Sequence, residues 1–208
     1  MKLTSCAVAI IPFFLMGCGL FGGGDRETRD LVTRGAVCGN PIIIGTVIDP
    51  VVSDTPGCGI AQPVRVTSVG GVSLSRGAVM ECSTAQVLSD WVETDVDQIV
   101  GRMGGGVTEI QVAAHYVCRT RNHKRGARIS EHGKGRAIDI SAFTLADGSE
   151  ISVSDHWGKG RRGRMLRNMR DSACGPFKTV LGPGSDGYHE DHFHFDVAQR
   201  DNDYVYCR

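Results

Sequence analysis

The chain has 208 residues, with 23 acidic against 23 basic side chains, 28 glycines and 8 cysteines. That length holds one domain with room for a tail, and 41% hydrophobic with 22% charged residues excludes a disordered polymer. Balanced charge excludes a bulk nucleic-acid coat, and glycine at about twice its ordinary ~7% share predicts short elements and many turns rather than a helical bundle.

In chain order, an apolar run over residues 6–16 (CAVAIIPFFLM) follows a single Lys2 and has the length of a secretory h-region, too short to span a bilayer. The adjoining Leu15-Met16-Gly17-Cys18 resembles a bacterial lipobox, which implies cleavage before Cys18 and a lipid on its thiol. Gly19 after that cysteine matches the sorting pattern of outer-membrane lipoproteins. The expected organisation is a signal peptide over 1–17, a polar, glycine-led tether over 18–34, and one domain over 35–208. The expected location is the outer membrane, facing the periplasm of a Gram-negative bacterium. With Cys6 and Cys18 set aside, Cys38, Cys58, Cys82, Cys118, Cys174 and Cys207 remain, an even number in an exported protein. No CxxC pair suits them to zinc, so three disulfides are predicted. Among fifteen pairings, chain order favours Cys38 with Cys58, Cys82 with Cys118 and Cys174 with Cys207.

Residues 42–48 and 64–74 are β-branched and glycine-punctuated, and read as short strands. From Ser83, the expected N-cap, apolar residues recur at helical spacing to Met103, so 83–103 reads as an amphipathic helix with Trp91 in the core. Gly104-Gly105-Gly106 ends it. Strands are predicted over 107–118, 136–143, 151–153 and 191–197, and a second helix over 161–173. The fold class that follows is α+β, with helices packed on an antiparallel sheet.

Strand alternation sends Phe193 and Phe195 one way and His192 and His194 the other. On 136–143 it buries Ile138 and Ile140 and places Asp139 opposite them. If those strands pair, Asp139 and His194 meet on one surface. His132, in a loop whose Gly133 and Gly135 allow a tight curl, can reach the same point. Two imidazoles and a carboxylate with an open position are the donor set of a catalytic zinc, whose chemistry is metal-assisted hydrolysis. Other hydrolytic machinery is absent: there is no GxSxG elbow, no Ser-xx-Lys pair, and Phe193 stands where an HExxH helix needs its second histidine. No P-loop is complete, so no nucleotide is expected, and no nucleic acid is expected as partner.

Ser130 to Asp139 (SEHGKGRAID) resembles the SxHxxGxAxD motif of D-alanyl-D-alanine metallopeptidases, a group that includes lysostaphin and the hedgehog signalling domain. His192-Phe193-His194 resembles the group's HxH. More narrowly, GCGI (57–60), CRTRN (118–122), SEHGKGRAIDIS (130–141), LADG (145–148), LGPG (181–184), HEDHFHFD (189–196) and YCR (206–208) are similar, in this order, to the bacterial extensin-like C-terminal domain family. The resemblance implies a hedgehog-like or peptidase-like sheet carrying zinc on His132, Asp139 and His194. It implies His192 as the proton carrier. Asp191, one methylene shorter than the glutamate those peptidases place there, is the alternative base. Arg119 falls where they carry a substrate-contacting arginine, and Ser130 belongs to the first motif as a site or turn residue. The implied activity is cleavage of D-amino-acid-containing peptidoglycan stem peptides, as carboxypeptidase or endopeptidase. The alternative is a zinc-bearing domain that binds or scaffolds the cell wall without turnover. His115, His123, His156 and His189 read as surface or packing residues, with His189, close to the site in sequence, the exception to expect. The run Lys159, Arg161, Arg162, Arg164, Arg167 and Arg170 reads as a solvated helix face, with an anionic wall polymer or lipid surface as the other reading.

Overall fold

A computed structural model describes residues 35–200 and 202–208; the leader, the lipid site at Cys18 and the tether lie outside the described residues. The elements are β1 (Ala36–Val37), β2 (Asn40–Val47), β3 (Pro63–Val69), β4 (Val72–Glu81), α1 (Cys82–Trp91), α2 (Asp97–Val100), β5 (Val107–Ala114), β6 (Ala137–Leu145), β7 (Glu150–Ser152), α3 (Val153–His156), α4 (Gly160–Ala173), β8 (Thr179–Leu181), β9 (Phe193–Asp196) and β10 (Tyr206–Cys207). Among the described residues the ten strands form one sheet in the order β1-β2-β3-β4-β5-β6-β9-β8-β10, with β7 alongside β6. None of the described helices is long and apolar enough to cross a membrane.

The expected α+β class holds at this level, but the sheet is mixed rather than antiparallel. Strands β4 and β5 run parallel, as do β8 and β10. A parallel pair needs a crossover, and the segment holding α1 and α2 supplies it between β4 and β5. That crossover is not the single helix predicted over 83–103. Helix α1 starts at Cys82 with Glu81, not Ser83, as N-cap; a π-helical turn over Val92–Val96 leads into α2, and Gly101, at φ 55°, stops it. The segment 64–74 is likewise two strands of a hairpin. Gly70 and Gly71, at φ 56° and 80°, both take the left-handed conformations that a tight two-residue turn requires.

Alternation places the core as the sequence predicts. Ile138 faces Phe195 and Ile140 faces Phe193 across the β6–β9 pair, and all four are fully buried. The helices cover this face. Trp91 of α1 packs edge-on to Phe177 and Phe195, and its indole N–H donates to Ser172 Oγ of α4 at 2.9 Å. Leu88, Met165, Leu166 and Met169 complete the layer.

Three disulfides form, but two pairings depart from chain order: Cys38 joins Cys82 and Cys58 joins Cys118, while Cys174–Cys207 is as expected. The reason lies in the helix laid over the sheet. Cys38 sits in the β1–β2 turn and Cys82 opens α1, which packs back over β2 and β3 and whose Gln86 Nε2 donates to the Cys38 carbonyl at 3.3 Å. Chain order carries no such information.

Candidate metal centre

His132 is delivered by a 3-10 turn, Glu131–Lys134, between β5 and β6. Gly135 closes it at φ 69°, and a Cβ there would collide with the Ile60 side chain. Gly133 serves close packing instead. A Cβ on it would lie 3.1 Å from Cys58 Sγ and 3.6 Å from Cys118 Cα, so the turn rests directly on the Cys58–Cys118 disulfide. Asp139 and His194 come from β6 and β9, where they are direct cross-strand partners.

The three side chains converge. His132 Nε2 lies 3.0 Å from Asp139 Oδ1 and 3.0 Å from His194 Nδ1, and His194 Nδ1 lies 2.9 Å from Asp139 Oδ1. All three residues are buried, His132 completely. The outer nitrogens fix the tautomers. His132 Nδ1 is 2.8 Å from the His115 carbonyl oxygen, which can only accept, so the proton is there and Nε2 carries the lone pair. His194 Nε2 is 3.3 Å from Asp196 Oδ2, which leaves Nδ1 as its inner donor atom. Two lone pairs and a carboxylate oxygen thus face one point away from bulk water, an arrangement that calls for a cation.

That cation can be a proton or a metal. In the protein alone, burial pushes His194 down, but its bonds to Asp139 and Asp196 and their charges outweigh this and raise it to about 9. Burial raises Asp139, yet the hydrogen bonds and charges of His132 and His194 win and hold its carboxyl far below the usual range. For a metal the fit is good. Zinc bonds of 2.0–2.1 Å in a tetrahedron put neighbouring ligand atoms about 3.3 Å apart, close to the separations found here. The oriented outer nitrogens are the carboxylate and carbonyl partners that metal-binding histidines ordinarily have.

His192, just before β9, turns Nε2 toward the same centre, 3.8 Å from Asp139 Oδ2. Its Nδ1 is held at 2.7 Å by Asp191 Oδ1. The Asp191 side chain is 77% exposed, so it meets the centre only through His192. A cleft of about 390 Å³ opens beside His194, lined among others by Arg119, Arg121, Ser130, His189 and Tyr204. Arg119 makes one weak bond, to the Thr120 carbonyl at 3.4 Å, and no carboxylate among the described residues pairs with it. Ser130 is a buried turn residue: its carbonyl accepts from Gly133 N–H and its own N–H donates to the Arg119 carbonyl.

His189, the exception expected among the four remaining histidines, belongs to this neighbourhood. It is buried, its Nδ1 lies 2.6 Å from Asp186 Oδ1, and its ring sits 5.3 Å from that of His192 and 5.6 Å from that of His194. Burial holds it below its ordinary value despite Asp186. Residues 182–192 form no strand, so alternation gave no signal here; closeness in sequence to the HxH motif was the trace of His189, and Asp186 left none.

The model of the family described as "Extensin-like protein C-terminus" matches residues 44–208, and the matched span holds the whole centre. No curated protein and no solved structure matches the chain. On that match, the chain belongs to the extensin-like protein C-terminus family.

Proposed function

We propose that the protein is a zinc-dependent peptidase that cuts D-amino-acid-containing peptidoglycan stem peptides, as carboxypeptidase or endopeptidase, from an exported, lipid-anchored position. The observation that carries this reading is the trio of converging donors with outward nitrogens already oriented. The substrate class rests on the resemblance of residues 130–139 and 192–194 to the D-alanyl-D-alanine peptidase, lysostaphin and hedgehog group, whose sheet this one is proposed to share. Export is supported by the apolar leader and by three disulfides, and anchoring by Cys18 in its lipobox-like setting.

His132, Asp139 and His194 would hold the zinc, and the ion, once bound, supplies Lewis acidity for attack of water on a peptide carbonyl. His192 Nε2 is placed to take a proton and return it to the leaving nitrogen, while Asp191 keeps its Nδ1 protonated and its ring aimed. Arg119, free of carboxylates and lining the cleft, fits a substrate carboxylate or a developing oxyanion. One observation favours a second reading, a wall-binding domain without turnover: Asp191, the alternative base, which fills the slot of those peptidases' glutamate, points largely into solvent. Incubation of the zinc-loaded chain with peptidoglycan fragments, with and without chelator, separates the two. Chelator-sensitive release of peptide or D-amino acid is expected, and intact fragments under zinc-replete conditions would leave the binding reading.

A further inference from the structure

The sheet divides the molecule into two sides. The metal centre occupies one face; α4 packs Met165, Leu166, Met169 and Ala173 against the other, in the same core as Phe193 and Phe195. The outer surface of α4 is therefore turned away from the cleft. It is strongly basic in a chain of zero formal charge, through Lys159, Arg161, Arg162, Arg164 and Arg167. Among the described residues no carboxylate lies within ion-pair distance of any of these five.

Two features show that the fold leaves most of this charge uncompensated, Lys159 excepted, whose Nζ donates to the Asp155 carbonyl. Helix α4 has no side-chain N-cap bond and no acid in its first turn, so Arg161 and Arg162 there oppose its dipole. Arg162 is mismatched: His156 Nδ1 accepts from the Ser152 N–H at 3.0 Å, so the other ring nitrogen carries a proton. That nitrogen faces Arg162 Nη1 at 3.4 Å, donor against donor. Arg162 Nε is buried without any acceptor. The neighbouring Asp147 carboxylate accepts from the Ser149 N–H at 2.9 Å and feels Arg162 through charge alone, beyond ion-pair distance. An anionic oxygen at Arg162 and His156 would resolve the mismatch.

We propose that the outer face of α3 and α4 is a docking surface for an anionic phospholipid bilayer, seating the molecule with its metal centre turned away from the membrane. Basic side chains beside a planar anionic surface gain attraction without any carved pocket, which suits a convex helix face. Trp157, partly exposed beside the patch, with Arg170 over its ring at 5.2 Å and Phe193 at its edge, adds the amphipathic indole found at such boundaries. A wall polymer acting as substrate has to reach the cleft on the other side. The choice of bilayer over polymer rests on that proposed function, whereas the vesicle test reads no peptidase activity and can fail independently of it.

The test uses the mature chain from residue 18, without the apolar leader and carrying Cys18→Ser, which removes the lipid site, purified with its disulfides formed. Co-sedimentation is measured with vesicles of phosphatidylcholine alone, of phosphatidylcholine with phosphatidylglycerol, and with peptidoglycan sacculi. Binding to the phosphatidylglycerol vesicles only, weakening as salt rises, is expected. Arg161→Glu with Arg164→Glu should lower it at least about tenfold. Because an acid at position 161, in the first turn, suits the helix dipole and Arg164 is exposed without an ion pair, the double variant should melt no lower than the parent. Equal binding by the double variant, equal binding to neutral vesicles, or no vesicle binding would overturn the proposal. Charge-dependent binding to sacculi in place of vesicles would overturn it in favour of a polymer surface.

Discussion

Within the centre, His194 and His192 sit two residues apart on the same side of the chain but have separable duties. His194 Nδ1 is one of three converging donors, whereas His192 Nε2 stands 3.8 Å from the outer oxygen of Asp139. His194→Ala should therefore lose both metal and activity. His192→Ala should keep one metal per chain and lower kcat about 10²- to 10⁴-fold, as read by metal analysis and steady-state kinetics. Asp191→Asn should keep metal and fold but shift the pH–rate profile, since it disturbs only the proton held on His192 Nδ1. An unshifted profile would reduce Asp191 to a surface residue. These residues were legible because strand alternation and the pairing of β6 with β9 fix which side chains share a face. His189 was legible only through its closeness to the HxH motif, and its contact with Asp186 not at all, because a loop imposes no periodicity and their approach depends on packing of the whole 182–192 segment.

At the scale of elements, the turn carrying His132 depends on two glycines and a disulfide that lie far from it in sequence. Gly135→Ala adds a Cβ against Ile60 at a left-handed φ, and a loss of about 1–3 kcal/mol is expected in denaturant unfolding, with weaker metal binding. Replacing Cys58 and Cys118 together by serine removes the link behind Gly133 and should cost about 2–5 kcal/mol. If metal affinity survived that loss of stability unchanged, the disulfide would be shown not to position His132. The sequence announced the glycine curl but could not reveal what the glycines pack against. For the same reason the chain-order disulfide pairing failed: the packing of helix α1 and of the loops holding Cys58 and Cys118, not separation along the chain, decides which thiols meet. The long helix predicted over 83–103 shows a similar limit, since its apolar spacing persists through the π-turn while the backbone hydrogen bonds shift register.

For the whole molecule, the sheet insulates a core anchored on Trp91 and the phenylalanines from a polar centre on its other face. The polar centre makes the stability of the whole depend on pH. Without metal, His194 is raised from 6.5 to about 9, so its contribution is fully present below pH 6.5 and is lost as pH rises through about 9. Asp139, held below 3.8, contributes above that value and loses its contribution as pH falls beneath it. Chelated protein should thus be most stable between about pH 4 and 6.5 and lose on the order of 3 kcal/mol toward pH 9, measured by denaturant unfolding. Metal should reverse the alkaline trend, because the proton it displaces from His194 is bound less tightly as pH rises. Calorimetric titration of zinc into the metal-free chain, compared with His194→Ala, tests the metal centre most directly. One zinc per chain, proton release on binding, and no binding to His194→Ala are expected; zinc retained by that variant, or none bound by the parent chain at pH 7–8, would contradict the assignment.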